Sequence, residues 1–423
     1  MAKIKDVTAR QLIDCNCRPM VEVDVITDEG LIGRGSAPTG SSVGMHEACV
    51  LRDHDPKEYD GMSVHQAVDN VNRIIGPAIR GMDVHDQTGI DACMIELDGT
   101  KDKSRLGGNA IYSTSIAAFR AAAETEHMPA YRYLCGRDIH TVPVPTFNVL
   151  NGGRNAGVTL AFNEFLVVPY LAETIYEAVE IAVKVFRELG PVIEKYTGRT
   201  PLVAHSYGWA GPTEDPRIAL NLMQEAIDRT GFHDKCCFAL DCASSEMYDK
   251  DSRTYYLNGD RLTGPELVSY AKKLTEEYPF LFIEDLLDEN DWENFALAHR
   301  EIRKTLLIGD DLIVTNRARL EKAYREQAVD GFILKPNQVG TLTEAFDTYQ
   351  FAVEHNMYAT PSGRSGGVVG DIVMDLAVGL EVPFQKNGCP RSGERIDKLN
   401  FLMRACGLAP GCTLSDLRNV VKF

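Results

Sequence analysis

The chain reads as an α/β protein: a closed β/α barrel preceded by a smaller α+β unit. Two observations predict this. From about residue 141 onward, short apolar runs alternate with longer stretches of helical spacing, and parallel neighbours need such crossovers. Eight of these runs fall within roughly 280 residues, which suits a closed barrel better than an open sheet. A third observation excludes the main rival, since no Gly-x-Gly-x-x-Gly follows a strand as a dinucleotide-binding sheet would require.

The elements follow in order. "MVEVDVIT" (20–27) alternates as a half-buried strand, and "DEGLIGRG" turns into a second one. Segment 36–53, with Gly40 and Gly44 bracketing Ser41 and Ser42, has the small residues of a mobile loop. Residues 64–134 have helical spacing, clearest in "STSIAAFRAAAETEH". "TVPVPTFNVLNGG" reads as a proline-bearing linker and a strand-like run, so the division is expected at 1–138 and 139–423. The barrel runs are "FNEFLVVP", "TPLVAHS", "CCFALDC", "FLFIEDL", "LLIGDDL", "DGFILKP", "MYATPSG" and "VPFQKNG". Helices are expected over 172–195, 216–230, 264–278, 317–328, 341–355 and 371–380.

The formal net charge of −17 argues against nucleic acid or an anionic membrane as partner. A local cationic pocket or bound metal would still admit a small anionic substrate. The N-terminus lacks the apolar core of a signal peptide, and no 18-residue apolar run predicts a membrane span. Eleven cysteines without a Cys-x-x-Cys read as free thiols of a cytoplasmic protein.

Polar residues sit at the ends of consecutive runs: Asp241 after "FAL", Glu284 after "FI", Asp310 after "LIG" and Lys335 after "FIL". The carboxyl ends of barrel strands build the active face. Three hard carboxylates on one rim repel unless a cation joins them, and Mg²⁺ suits such a site. Asp285 and Asp311 fit caps or partners that support the ligands. Beside a divalent metal the ammonium of Lys335 is disfavoured, so its pKa is expected to fall. A neutral Lys335 could then take a proton α to a carboxylate, with the metal charge stabilising the anion formed. A Lys or His base with Mg²⁺ is the known pattern of enolase-superfamily sites.

With those residues in view, the sequence resembles the enolase family over nearly its whole length. "GRGSAPTGSSVGMHEACVLRD", "LDGTKDKSRLGGNAIYSTSIAAFRAAA", "VPVPTFNVLNGG", "ALDCASSEMY", "FIEDLLDENDW", "GDDLIVTN", "LKPNQVGTLTEA" and "GERIDKLNFLMR" carry the likeness in order. The resemblance implies an α+β capping domain on an atypical, TIM-like enolase-type barrel, Mg²⁺ dependence and a homodimer or higher homo-oligomer. It also implies dehydration of 2-phosphoglycerate to phosphoenolpyruvate. Position by position, it implies Asp241, Glu284 and Asp310 as ligands of one metal and Ser42 at a second. Lys335 matches the base, Arg364 and Ser365 the phosphate contacts, and Lys386 the contact to the substrate carboxylate. Glu164 matches a glutamate near the leaving hydroxyl, and His46 also has a counterpart.

The departures from the family pattern cluster in the same places. "VAHSYG" stands where the family has Val-Gly-Asp-Glu-Gly-Gly, so Ser206 replaces the general acid. "NGGRN" puts Asn155 in place of a histidine and introduces Arg154, a candidate contact to an extra anionic group. "SGRSGG" puts Gly363 in place of another active-site histidine, and "NEF" puts Asn163 in place of a glutamine. "DCNCRP" alters a segment that the family uses in dimer contacts. A serine hydroxyl alone cannot supply the proton that a departing hydroxide needs.

The expected function is therefore an enolase-type lyase acting on an altered phosphorylated or phosphonate acid, as in phosphonate pathways, where carboxyphosphonoenolpyruvate synthase resembles enolase. One alternative is an ordinary phosphopyruvate hydratase with His205 as substitute acid. Another is a catalytically silent enolase-like binding protein.

Overall fold

The computed structural model describes residues 2–40, 44–153 and 160–423. Ser42, Arg154 and Asn155 lie outside the described residues.

The N-terminal part is a three-stranded antiparallel meander, β1 (Ile4–Ile13), β2 (Pro19–Thr27) and β3 (Ile32–Ser36), followed by helices. The sequence reading found β2 and β3 but not β1. The meander packs against the helix Gly108–Thr125 at very short range. A Cβ on Gly33 would lie 2.1 Å from the Ala117 carbonyl oxygen, and one on Gly35 2.1 Å from that of Ser113. Glycine at both positions is what lets strand and helix backbones touch.

The second part is the barrel. Its strands are β4 (Val144–Asn151), β5 (Glu164–Val168), β6 (Cys237–Asp241), β7 (Phe280–Glu284), β8 (Leu306–Gly309), β9 (Gly331–Leu334), β10 (Tyr358–Pro361) and β11 (Phe384–Lys386). They hydrogen-bond in the order β10-β9-β8-β7-β6-β5-β4-β11. The sheet curls until its edges meet at one parallel bridge, Ser362 to Lys386.

Two expectations need correction. Segment 202–208 is not a barrel strand. Val203 makes only an isolated bridge to Trp209, and Tyr207 adopts φ +69°, so the chain turns at His205-Ser206. The strand-like run in the expected linker is itself a barrel strand, β4, buried along its whole length. The sheet is also not wholly parallel, because β5 runs antiparallel to both β4 and β6.

The predicted helices are present as Ile175–Thr197, Pro216–Thr230, Gly264–Glu277, Arg317–Glu326, Leu342–Glu354 and Ile372–Gly379. Thr174, Asp215, Asn316, Thr341 and Asp371 cap five of them through side-chain oxygens that accept backbone N–H bonds. Among the described residues no helix is long and apolar enough to cross a membrane.

Side-chain alternation fixes the two faces of the sheet. Leu166, Val168, Cys237, Ala239, Phe282, Ile308, Ile333 and Phe384 share one core cluster, whereas Phe165, Val167, Phe238, Leu240 and Ile283 belong to another. Continuing the first phase along each strand reaches Glu164, Asp241, Glu284, Asp310, Lys335 and Lys386. The period of two therefore delivers all six polar residues to the same mouth.

Polar contacts join the two parts. Asp91 accepts the Thr343 hydroxyl at 2.6 Å and its N–H at 3.0 Å. Lys103 pairs with Glu344 at 3.0 Å, and Arg120 with Asp375 at 3.1 Å.

Candidate active site at the barrel mouth

One cavity at the mouth is lined by Glu164, Ser206, Asp241, Asp310, Lys335, Arg364, Ser365 and Lys386, with Asn163, Gly363, Arg395 and Lys398 completing one side. Glu164 reaches this rim because β5 is reversed. Its first residue pairs with Asp241, the last residue of β6, so the start of one strand lies beside the end of the next.

Lys386 is the hub. Its Nζ donates to Asp241 Oδ2 and to Glu284 Oε2, each at 2.7 Å, and lies 3.2 Å from Glu164 Oε2. Burial opposes its charge, but Asp241, Glu284 and Glu164 outweigh burial and hold the ammonium well above its ordinary value. Burial pushes the carboxyls of Asp241 and Glu284 up, Glu284 well above the usual range. Asn148 donates to Glu164 Oε1 at 3.0 Å.

Lys335 forms an ion pair with Asp310 Oδ2, while Gln338 donates to Asp310 Oδ1 at 2.9 Å. The expected fall in the Lys335 pKa is not what its protein surroundings produce. Burial lowers it, but the charge of Asp310 outweighs burial and holds it above the ordinary value. The same pairing holds the Asp310 carboxyl below its ordinary value despite burial.

Asp285 is out of phase with Glu284 and turns to the backbone. Its two oxygens accept the N–H groups of Asp310 at 2.9 Å and Asp311 at 2.7 Å. It therefore braces the strand end that presents Asp310, which agrees with a supporting role. Burial and the neighbouring Asp310 push the Asp311 carboxyl up to about 7.

The three predicted ligands share the rim but do not converge on one point. Lys386 stands between Asp241 and Glu284, and Lys335 draws Asp310 aside. Among the described residues, the acidic side chains whose oxygens all lie within 4.8 Å of one another are Asp285, Asp310 and Asp311. Asp285 has both oxygens committed to backbone N–H groups, so that trio is a weaker donor set. Asp241, Glu284 and Asp310 fit a hard divalent cation better on chemistry. Glu284 is fully buried and its Oε1 has no hydrogen-bond partner among the described residues. Around Lys386, the three carboxylates of Asp241, Glu284 and Glu164 face one ammonium, a local excess of negative charge that a divalent ion would offset.

Two of the expected site residues, His205 and His46, stand outside this cavity, whereas Ser206 and Ser365 line it. His205 is exposed and does not line the cavity, because the turn at 204–207 points it outward. His46 is also exposed, bonded to Asn290 at 3.1 Å and outside this cavity. Its chain neighbour Glu47 faces the site instead and grips Arg364 through two bonds of 2.7 and 3.1 Å. Ser206 is buried on the cavity wall, and its carbonyl oxygen accepts a bond from Arg395. Ser365 lines the cavity too, and its carbonyl accepts from Asn16 at 3.1 Å.

Sequence reasoning did not single out Gln338, Glu47, Arg395 or Lys398. The first stands three residues after Lys335, a spacing that could have marked it. The other three are brought in by tertiary packing.

Comparison with known proteins agrees with this architecture. The family model described as "Enolase, N-terminal domain" matches residues 4–134, and "Enolase, C-terminal TIM barrel domain" matches residues 139–407. The enolase of Methanocaldococcus jannaschii is 44% identical over 403 residues, covering 95% of this chain and 94% of that protein. The enolase of Methanosarcina barkeri is 42% identical over 404 residues, with the same two coverages. That of Methanopyrus kandleri is 41% identical over 408 residues, covering 96% and 95%. With both family models matched in order across a capping domain and a barrel, the chain belongs to the enolase family.

Proposed function

We propose that the protein is a phosphopyruvate hydratase, dehydrating 2-phosphoglycerate to phosphoenolpyruvate and water. The observation that carries this reading is the pair Lys335 and Lys386 at one barrel mouth, set among Asp241, Glu284 and Asp310. Relatives called enolase, more than two-fifths identical over nearly the full length, favour this reading over a divergent lyase.

In this reading Lys335 removes the proton α to the substrate carboxylate. Asp310 must first release it, because the ion pair keeps Lys335 protonated. Asp241, Glu284 and Asp310 would hold Mg²⁺, and Ser42 would help hold a second ion. The ion supplies positive charge where negative charge builds on the substrate carboxylate. Lys386 orients that carboxylate, and Arg364 with Ser365 holds the phosphate. Glu164 lies beside the leaving group. We further propose a junction at 138/139 between the cap and the barrel, a homo-oligomer, and a cytoplasmic protein; the free state of all eleven cysteines fits the last.

A second reading is favoured by the cavity wall itself. Ser206 and Gly363 remove an acid and a histidine that the family pattern carries, so the leaving group or substrate could differ, as in a phosphonate pathway. Absorbance of phosphoenolpyruvate separates the two. Turnover of 2-phosphoglycerate at ordinary enolase rates, abolished by Lys335→Ala, supports the first. Deuterium exchange at the substrate α-carbon without elimination refutes it and supports the second.

A further inference from the structure

The proposed dehydration requires a proton for the departing hydroxide. His205, the expected substitute acid, faces outward, and Ser206, at the position of the family's acid, offers only a hydroxyl. The other cationic groups on the cavity wall are engaged. Lys335 is paired with Asp310, Lys386 with three carboxylates and Arg364 with Glu47, while Arg395 bonds Glu394 and the Ser206 carbonyl.

Lys398 is the exception. It lines the cavity and is 4% exposed. Among the described residues its ammonium makes no hydrogen bond or ion pair, and it is acted on by burial and by the charges of Asp371, Arg395 and Glu394. It stands one turn after Arg395 on the helix Gly393–Leu408, so both project from one face. Arg395 touches the Ser206 backbone. Lys398 reaches Gly363, where an added Cβ would lie 3.0 Å from its Nζ. The ammonium thus opens onto the cavity wall at Gly363, while its helix neighbour Arg395 meets that wall at Ser206.

We propose that Lys398 is the proton donor to the leaving hydroxide. This rests on the dehydration reading above. Lys335 takes the α proton, and the electron pair left behind forms the new C=C bond. The adjacent C–O bond breaks with its pair on oxygen, and that oxygen takes a proton from Lys398 and leaves as water. Lys398 ends as a neutral amine and Lys335 as an ammonium, and exchange with solvent resets both. Burial lowers the Lys398 pKa, against the pull of Asp371, which makes the ammonium a better acid than a surface lysine.

The test uses the full chain with Mg²⁺, 2-phosphoglycerate, and the analogue carrying chloride in place of the hydroxyl, since chloride leaves without a proton. Lys398→Met should lower turnover of 2-phosphoglycerate by about 10²–10⁴-fold. Lys398→Arg should do the same, because a guanidinium keeps the charge but holds its proton too tightly. Both variants should retain α-proton exchange in D₂O, and chloride elimination within about tenfold of wild type. Variants that dehydrate 2-phosphoglycerate within about tenfold of wild type overturn the assignment. So does an equal loss of exchange and of chloride elimination, which marks a structural role. A wild-type protein that does not dehydrate 2-phosphoglycerate refutes the proposed reaction, and the need for this donor goes with it; that result is read before any variant.

Discussion

Lys386→Met tests the charge balance of the site most directly. The ammonium lies 2.7 Å from Asp241 and Glu284 and 3.2 Å from Glu164, and it is 6% exposed. Methionine keeps most of the stem's volume and removes the charge, leaving three neighbouring carboxylates without their cation. Breaking a buried pair by removing one partner costs about 3–5 kcal/mol. Unfolding entropy scales with chain length, at roughly 2 cal/mol/K per residue, so for 423 residues that cost lowers Tm by about 3–6 °C. The assay is thermal unfolding in chelator and in excess Mg²⁺ at one scan rate. In wild type the ion must compete with Lys386 for Asp241 and Glu284, whereas in the variant it meets them unpaired. Mg²⁺ at 1,000 times its Kd stabilises a protein by about 4 kcal/mol, and the variant should gain more than wild type. The gap between the two is therefore wider in chelator than in Mg²⁺. A variant melting within about 1 °C of wild type in chelator, or a gap that Mg²⁺ leaves unchanged, refutes the reasoning.

Further outcomes can be stated. Asp285→Asn cannot accept both backbone N–H groups that now hold Asp310 and Asp311, so calorimetry should find Mg²⁺ bound about 10–100-fold more weakly. His205→Gln should leave kcat/KM within about twofold, since the side chain is exposed and off the cavity; a large loss would return His205 to the mechanism. Gly33→Ala forces a Cβ to 2.1 Å from helix backbone and should destabilise the cap by about 2 kcal/mol or more in urea unfolding, and a neutral effect would refute the close packing. Turnover of 2-phosphoglycerate should fall as pH rises through the Lys398 pKa, because only the ammonium donates. Burial and Arg395 lower that pKa while Asp371, Glu394 and Cys15 raise it, with a net lowering, so this alkaline limb lies below the ordinary lysine value and disappears with the chloride analogue.

Much of the site was legible because a barrel strand has period two and ends at the functional rim. "FALD", "FIED", "LIGDD" and "FILK" each place a polar residue one step past an inward apolar one, and the inward core cluster follows that phase. The helices between them were legible from their spacing. Strand β4 was legible only as a strand-like run, since Pro143 just before it and Pro145 within it gave the stretch the look of a linker. Segment 202–206 misled in the opposite direction, being apolar enough for a strand yet pairing only at Val203 before turning.

Sequence alone determined the division into cap and barrel, the acids and lysines at the strand ends, and the departures at Ser206 and Gly363. These follow from local pattern, and pattern is a property of neighbours along the chain. Tertiary structure decided the rest. The reversal of β5 brings Glu164 beside Asp241, a pairing that no strand-end rule predicts. Lys386 binds Asp241 and Glu284 together while Asp310 turns to Lys335, a choice made by distances among charges from five strands. The Gly393–Leu408 helix sets the ammonium of Lys398, unpaired among the described residues, behind Gly363. Spacing along the chain carries no record of that contact, because it exists only once the barrel has closed and the helix has docked against its mouth.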